Sequence, residues 1–295
     1  MPADATALAL ITLLAAFVNG ALGYGFSSIT LPVALLFYTN RLLNPAMVLV
    51  EVAVNGCTLF VSRRSIPQVW RRTSPILVGL LPGILVGSYI LFTASPERLK
   101  FATFAVLLPL ILIQAGGIRR PIRAEGIVGF PFGAGVGLLY SVTTISGPPL
   151  AVLLNNQGYV KDEFRAALGL IRLTESVMTA VSYYFLGLYT AKSLDIAGLI
   201  IPSIVIGIPL GSQAIRKLEP ETFRRVCMSF DAWIVGWGLS KLTRQLHLAG
   251  DRASYAVFLA VILIDAWLLY AFFSRRKRAV DALPDGSLAG TAGSR

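Results

Sequence analysis

Residues 83–100 read GILVGSYILFTASPERLK, and residues 207–224 read GIPLGSQAIRKLEPETFR. Both follow one pattern, G-x3-G-S-x7-P-E-x-L/F-K/R, at an interval of 124 positions. Gly, Ser, Pro and Glu coincide along with the aliphatic residues. That exceeds the self-similarity of any two apolar segments, and the chain reads as two copies of one unit. Upstream, residues 20–37 (GALGYGFSSITLPVALLF) align with residues 137–154 (GLLYSVTTISGPPLAVLL) at an offset of 117, with Pro32 on Pro149 and Ala34 on Ala151. The offset is about 120 near Ala46 and Ala166, as expected when loops differ by a few residues and spans keep their pattern.

Composition sets the class. With 55% hydrophobic and 14% charged residues and a mean hydropathy of +0.71, the chain has too little polar surface to cover a soluble domain of 295 residues. It reads as an all-α polytopic membrane protein. Apolar runs long enough to cross about 30 Å of hydrocarbon lie near 46–62, 74–93, 99–115, 166–189, 194–214, 222–240 and 254–273. Two further segments, 5–38 and 126–154, are too long for one span, and Gly and hydroxyl residues interrupt each in the middle. The N-terminal MPADATALAL has no basic region and is not read as a cleaved signal peptide.

The net charge of +11 does not point to nucleic acid, because the basic residues fall in loops between spans and report topology. If each broken segment crosses once, the two faces of the membrane receive nearly equal numbers of Lys and Arg. If each enters and leaves on the same face, one side receives seventeen and the other only seven: Arg41, Arg98, Lys100, Lys192, Lys241, Arg244 and Arg252. Only the second arrangement satisfies the positive-inside rule. A hairpin plus three spans is an odd number of crossings, so the second copy is expected upside down relative to the first, the plan of many secondary transporters. The expected organisation is a first repeat over 1–117, a second over 118–246, an extra span over 247–274 and a disordered cytoplasmic tail over 275–295. The N-terminus is expected outside a cell (inner or plasma) membrane.

The broken segments hold the candidate chemistry. The first carries Asn19, Gly20, Gly23, Tyr24, Gly25, Ser27, Ser28 and Thr30 ahead of Pro32; the second carries Thr143, Thr144, Ser146 and Gly147 ahead of Pro148 and Pro149. Hydroxyl residues followed by Pro mark a helix start, with Thr30 and Ser146 as candidate caps. Two short helices aiming unpaired N–H groups and positive dipole ends at mid-membrane would make a site for a small anion.

The paired glycine-rich first segments, the TISGPPLAVLLNNQG stretch over 144–158 and the late G-x3-G-S of each half resemble the TauE/SafE family. The resemblance covers roughly residues 8–245 and implies transport of a small sulfur-containing anion, such as sulfite or an organosulfonate. The first copy departs from the family's glycine-dense motif at Tyr24, Phe26 and Ser27.

Ionisable residues inside spans are costly, so they are further candidates. Arg172 and Glu175 lie three apart on one helical face, placed to neutralise each other; either Arg172 is an anion ligand with Glu175 as an orienting or proton-carrying group, or the pair simply ties helices together. Glu51 and Asn55 occupy the matching span of the first copy, Asn55 aligning with Glu175. Asp231 is also intramembrane, and Asp265 in the last span suits packing or contact between copies in a homodimer. Cys57 and Cys227 are too few for a metal or disulfide framework, His247 reads as a solvated loop residue, and no metal or cofactor is expected. Gly79, Gly83 and Gly87, with Gly207 and Gly211, read as close-packing positions, and Tyr183, Tyr184 and Tyr189 as an interfacial belt.

The reading is therefore a secondary transporter of a small anion rather than an enzyme. A passive anion channel is the nearest alternative. A membrane enzyme acting on lipid phosphates is further off, since neither tip carries a charge or a histidine. Outward movement of one negative charge gains about 2.3 kcal/mol per 100 mV of interior-negative potential.

Overall fold

The computed structural model describes residues 3–22, 25–115, 125–157, 159, 161–214, 220–248 and 250–281. It is an all-α membrane protein, with no strand among the described residues. Eleven helices are described: α1 (Ala3–Leu22), α2 (Phe26–Ala34), α3 (Asn40–Ser62), α4 (Ile66–Thr93), α5 (Pro96–Ala115), α6 (Glu125–Thr143), α7 (Gly147–Asn156), α8 (Lys161–Phe185), α9 (Ala191–Ala214), α10 (Pro220–Gln245) and α11 (Asp251–Asp281). A 3-10 turn, Arg63–Ser65, joins α3 to α4. Among the described residues, five stretches are long and apolar enough to cross a bilayer: Asp4–Ala21, Asn40–Phe60, Arg63–Thr93, Ala191–Ala214 and Ala253–Ser274.

Each expected broken segment consists of a full-length helix, a break and a short helix. α1 and α6 have 20 and 19 residues, whereas α2 and α7 have 9 and 10. At about 1.5 Å per residue the short members reach only half-way through the hydrocarbon. The first break falls at Gly25, whose φ of 106° is open only to glycine without strain. The expected cap Thr30 is therefore corrected. α2 starts at Phe26, five residues earlier than the hydroxyl pattern indicated, because the chain turns where left-handed backbone is cheapest. Thr30 is interior and buried, and Pro32 lies in the second half of the helix. The second break places Ser146 at the N-cap position of α7, as expected, with the prolines in the first turn.

The glycines set how closely helices approach. A Cβ on Gly79, Gly83 or Gly87 of α4 would overlap α6 at Phe130, at Ala134, or at Leu138 and Ser141; one on Gly207 or Gly211 of α9 would overlap α1 at Ala16 or Phe17. Contact positions rise together along each pair, so α4 runs parallel to α6 and α1 to α9. α3 and α8 run antiparallel, with Asn55 beside Ser176, Gly56 against Leu173 and Leu59 against Gly169. One apolar core includes Leu31, Leu35, Met47, Phe104, Ile200 and Val235, and a second includes Leu80, Ile84, Leu150, Leu154 and Ile171. Val78, Leu85, Tyr89, Val205, Leu210, Leu263 and Trp267 point outward as an apolar surface.

Arg41 closes the C-terminal end of α4, donating to the carbonyls of Leu91 (3.0 Å), Phe92 and Ala94 (2.8 Å). α11 is tied to α10 by Asp265, which accepts from Arg225 (3.0 Å), Ser229 (3.1 Å) and Trp233 (3.1 Å). Packing of α11, not an unpaired charge, is thus what Asp265 serves. The helix also runs on to Asp281 instead of ending at 274, because Arg275, Arg276, Lys277, Arg278 and Ala279 are good helix formers. Of the three tyrosines expected in an interfacial belt, Tyr183 is fully buried and donates to the Ser141 carbonyl, while Tyr184 is exposed.

Candidate functional site

The two breaks meet the two long antiparallel helices at buried carboxylates. Each carboxylate takes a hydroxyl from the broken segment that precedes it in the chain: Ser27 of α2 donates to Glu51 of α3, and Ser146 at the start of α7 donates to Glu175 of α8 at 2.6 Å. Both carboxylates are buried, at 1% and 0% exposure. Removing such groups from water is expensive, and hydroxyl donors at the breaks offset part of that cost.

Arg172 departs from its expected partner. It pairs with Glu51 across the α3–α8 contact, Nη2 to Oε1 at 3.2 Å, and not with Glu175 on its own helix. Asn55 helps to fix the α8 backbone there, its amide facing the Arg172 carbonyl at 3.4 Å and the Ser176 hydroxyl at 3.5 Å. Glu51 receives a third donor, the Tyr140 hydroxyl from α6, at 2.6 Å. Ser27, Tyr140 and Arg172 therefore converge on one carboxylate from α2, α6 and α8. The Nε of Arg172, Oε1 of Glu175 and the hydroxyls of Thr30 and Thr144 are buried with no partner.

The two tips differ in what they offer an anion. In α2 the first intrahelical bond is Ile29 N–H to the Gly25 carbonyl, so the amides of Phe26, Ser27 and Ser28 precede the ladder. In α7 the first is Leu150 N–H to Ser146, and of the three residues before it Pro148 and Pro149 have no N–H. Ser146 does not cap α7, since its hydroxyl is turned to Glu175. The expectation that both tips aim unpaired amides is therefore corrected at the second, where two of the three positions before the ladder are prolines. Thr143 braces the second break by accepting from Ile145 N–H at 3.1 Å, and Thr144 adopts a left-handed φ of 55°.

Other expected residues fall around this centre. Ser28 is buried in α2, and Asn19 near the end of α1 is buried with an unpartnered Oδ1. Tyr24 lies outside the described residues. Asn19 also lines a cavity of about 1320 Å³ between α1, α3, α8 and α9, with Ala53, Cys57, Arg165 and Ile201 among its other walls. Asp231 is buried on α10, outside the network of Glu51 and Glu175. Tyr140 belongs to the second broken segment but was not among the expected site residues, because an aromatic residue in an apolar run ordinarily packs. Nor was Asn44, whose amide holds the Val142 carbonyl at 2.6 Å.

The family model of the sulfite exporter TauE/SafE matches residues 8–237, most of the chain. The chain belongs to the TauE/SafE family. A curated relative, described as a probable sulfite/organosulfonate exporter TauE, from Cupriavidus necator, is 29% identical over 199 residues, covering 65% of this chain and 75% of the relative. No solved structure matches significantly. This TauE/SafE member is thus a multi-pass membrane protein of a transporter family. Its match spans both broken segments, Glu51, Arg172 and Glu175.

Proposed function

We propose that this TauE/SafE protein is a secondary transporter of a small sulfur oxyanion, sulfite or an organosulfonate, bound between the tips of α2 and α7 with Arg172 as the cationic ligand. The observation that carries the reading is a buried guanidinium, only partly used by Glu51, beside two helix breaks rich in hydroxyls. The free amides of α2 add donors suited to a tetrahedral or pyramidal oxyanion. The sulfur chemistry itself follows the family and its relative's description.

The molecule is read as two inverted repeats, residues 1–117 and 118–246. The antiparallel α3–α8 contact supports this, since corresponding helices related by an axis in the membrane plane run in opposite senses. The pairs α1–α9 and α4–α6 support it too, because each joins the first span of one copy to the G-x3-G span of the other. The Lys and Arg distribution supports an orientation with the N-terminus and Arg41 outside and Arg64, with the tail, in the cytoplasm.

The test is flux of radiolabelled sulfite, sulfate and a small organosulfonate in proteoliposomes under imposed membrane potential. Wild type is expected to carry at least one sulfur oxyanion saturably. Arg172→Gln is expected to lower that flux at least about tenfold, the scale of losing a charge-assisted hydrogen bond. Equal flux in the variant, or none in wild type for all three anions, would overturn the reading. Flux that never saturates would favour a channel.

A further inference from the structure

Glu175 and Glu51 have unequal surroundings. Glu51 holds Ser27, Tyr140 and Arg172, including the guanidinium. Glu175 has one hydroxyl, from Ser146, and an Oε1 that is buried and unpartnered. The single counter-charge near it is shared, and its hydrogen bond goes elsewhere. On its own helix Arg172 is turned to Glu51, and the Tyr183 hydroxyl is given to the Ser141 carbonyl. From α3 it faces another carboxylate, Glu51, and from α6 a phenol already donated to that carboxylate. α7 contains no charged residue, and its Pro148 and Pro149 supply no N–H. α4 has no charged residue after Arg72, which is bonded at the other end of α8 to the Gln157 carbonyl and stacked on Tyr159. The arginines of the 3-10 turn also lie at that far end, where Leu59 meets Gly169.

Two carboxylates and one guanidinium leave the empty site with one excess negative charge if all three are ionised. An arriving anion would make two in a region shielded from water. Neither state suits a site whose ligand is itself negative.

We infer that Glu175 binds the transported anion as the neutral carboxylic acid, donating its Oε1–H to an oxygen of the anion, so that a proton occupies the site together with the anion. The inference rests on the anion-transport reading above. It gives the unpartnered Oε1 a role, leaves Arg172 as the cationic donor with the α2 amides as neutral ones, and makes Ser146 the group that orients the acid. Whenever the empty site has lost this proton to the solution, binding of the anion takes one up. Proton and anion then favour each other's binding by the same factor.

The experiment is calorimetric titration of methanesulfonate and of sulfite into the full chain in detergent. It is run from neutral to alkaline pH in buffers of different ionisation heat. In wild type, affinity is expected to fall about tenfold per pH unit on the alkaline limb, with uptake of about one proton per anion there. Glu175→Gln, whose amide N–H can donate but cannot ionise, is expected to give a flat profile, below wild type at neutral pH and above it at alkaline pH, with no proton uptake. Glu175→Ala is expected to bind weakly throughout. Infrared difference spectra add a readout independent of affinity. A carboxylic C=O band present in wild type with anion bound is expected to vanish in Glu175→Gln. Binding without proton uptake, or a Glu175→Gln variant that keeps the wild-type pH dependence, overturns this inference and spares the transporter reading. No binding of either anion at any pH overturns both.

Discussion

Arg172 bypasses the carboxylate one turn away and reaches a different helix, because Glu51 is already polarised by Ser27 and Tyr140 and lies across the α3–α8 contact. Removing one partner of such a pair strands the other. Glu51→Gln and Arg172→Gln are each expected to lower stability by about 3–5 kcal/mol, and the double variant by much less than their sum. Thermal unfolding of the purified protein in one detergent checks the cycle; additive losses would mean the pair does not interact. Tyr140→Phe removes one donor and no volume, and is expected to cost about 1–2 kcal/mol in the same assay. At this scale the sequence was informative where a polar residue stood out against apolar neighbours. Glu51, Asn55, Arg172, Glu175, Ser27 and Ser146 were all visible that way. Their pairing was not, because partner choice depends on how helices cross. Tyr140 was invisible for the opposite reason, an aromatic ring in an apolar run looking like packing whatever its hydroxyl does.

Two kinds of glycine act at the scale of elements. Gly25 supplies a left-handed turn, and Gly25→Ala is expected to cost about 1–2 kcal/mol through backbone strain alone, as there is room for the added methyl. Gly83 and Gly211 instead permit backbone contact between parallel helices, where a methyl meets carbonyl oxygens that cannot move aside. Gly83→Leu or Gly211→Leu is therefore expected to destabilise by about 3 kcal/mol or more and to lower the yield of folded protein, read by size-exclusion chromatography. The spacing of these glycines gave away which faces pack, though not that α4 meets α6 and α9 meets α1. Element boundaries followed the breakers. The Thr30 cap misled because a hydroxyl before proline is only one way to start a helix, and a glycine able to reverse the chain lay five residues earlier.

For the whole molecule, the topology proposal predicts that single cysteines placed at Arg41 and Arg64 are labelled from opposite faces of the membrane. Labelling of Arg41 and the N-terminus from opposite faces would remove the inverted-repeat reading. α11 begins after the last residue of the family match, and the buried cluster on Asp265 ties it to α10. Asp265→Ala leaves Arg225 buried without its counter-ion, and is expected to cost about 3–5 kcal/mol while anion affinity is unchanged. The proposed doubling of the chain rests on self-comparison of the sequence, which needs no partner choice to be known. Which interhelical gap stays open was not legible, because α3 with α9 and α8 with α4 carry matching patterns. The cavity of the candidate site borders the first of these gaps. That cavity has a free thiol in its wall, Cys57, which is exposed. The protein thus comes with its own built-in reporter: a water-soluble maleimide added to the face on which the gap opens should halt anion flux, a saturating substrate should slow the alkylation, and Cys57→Ser should make transport indifferent to the reagent.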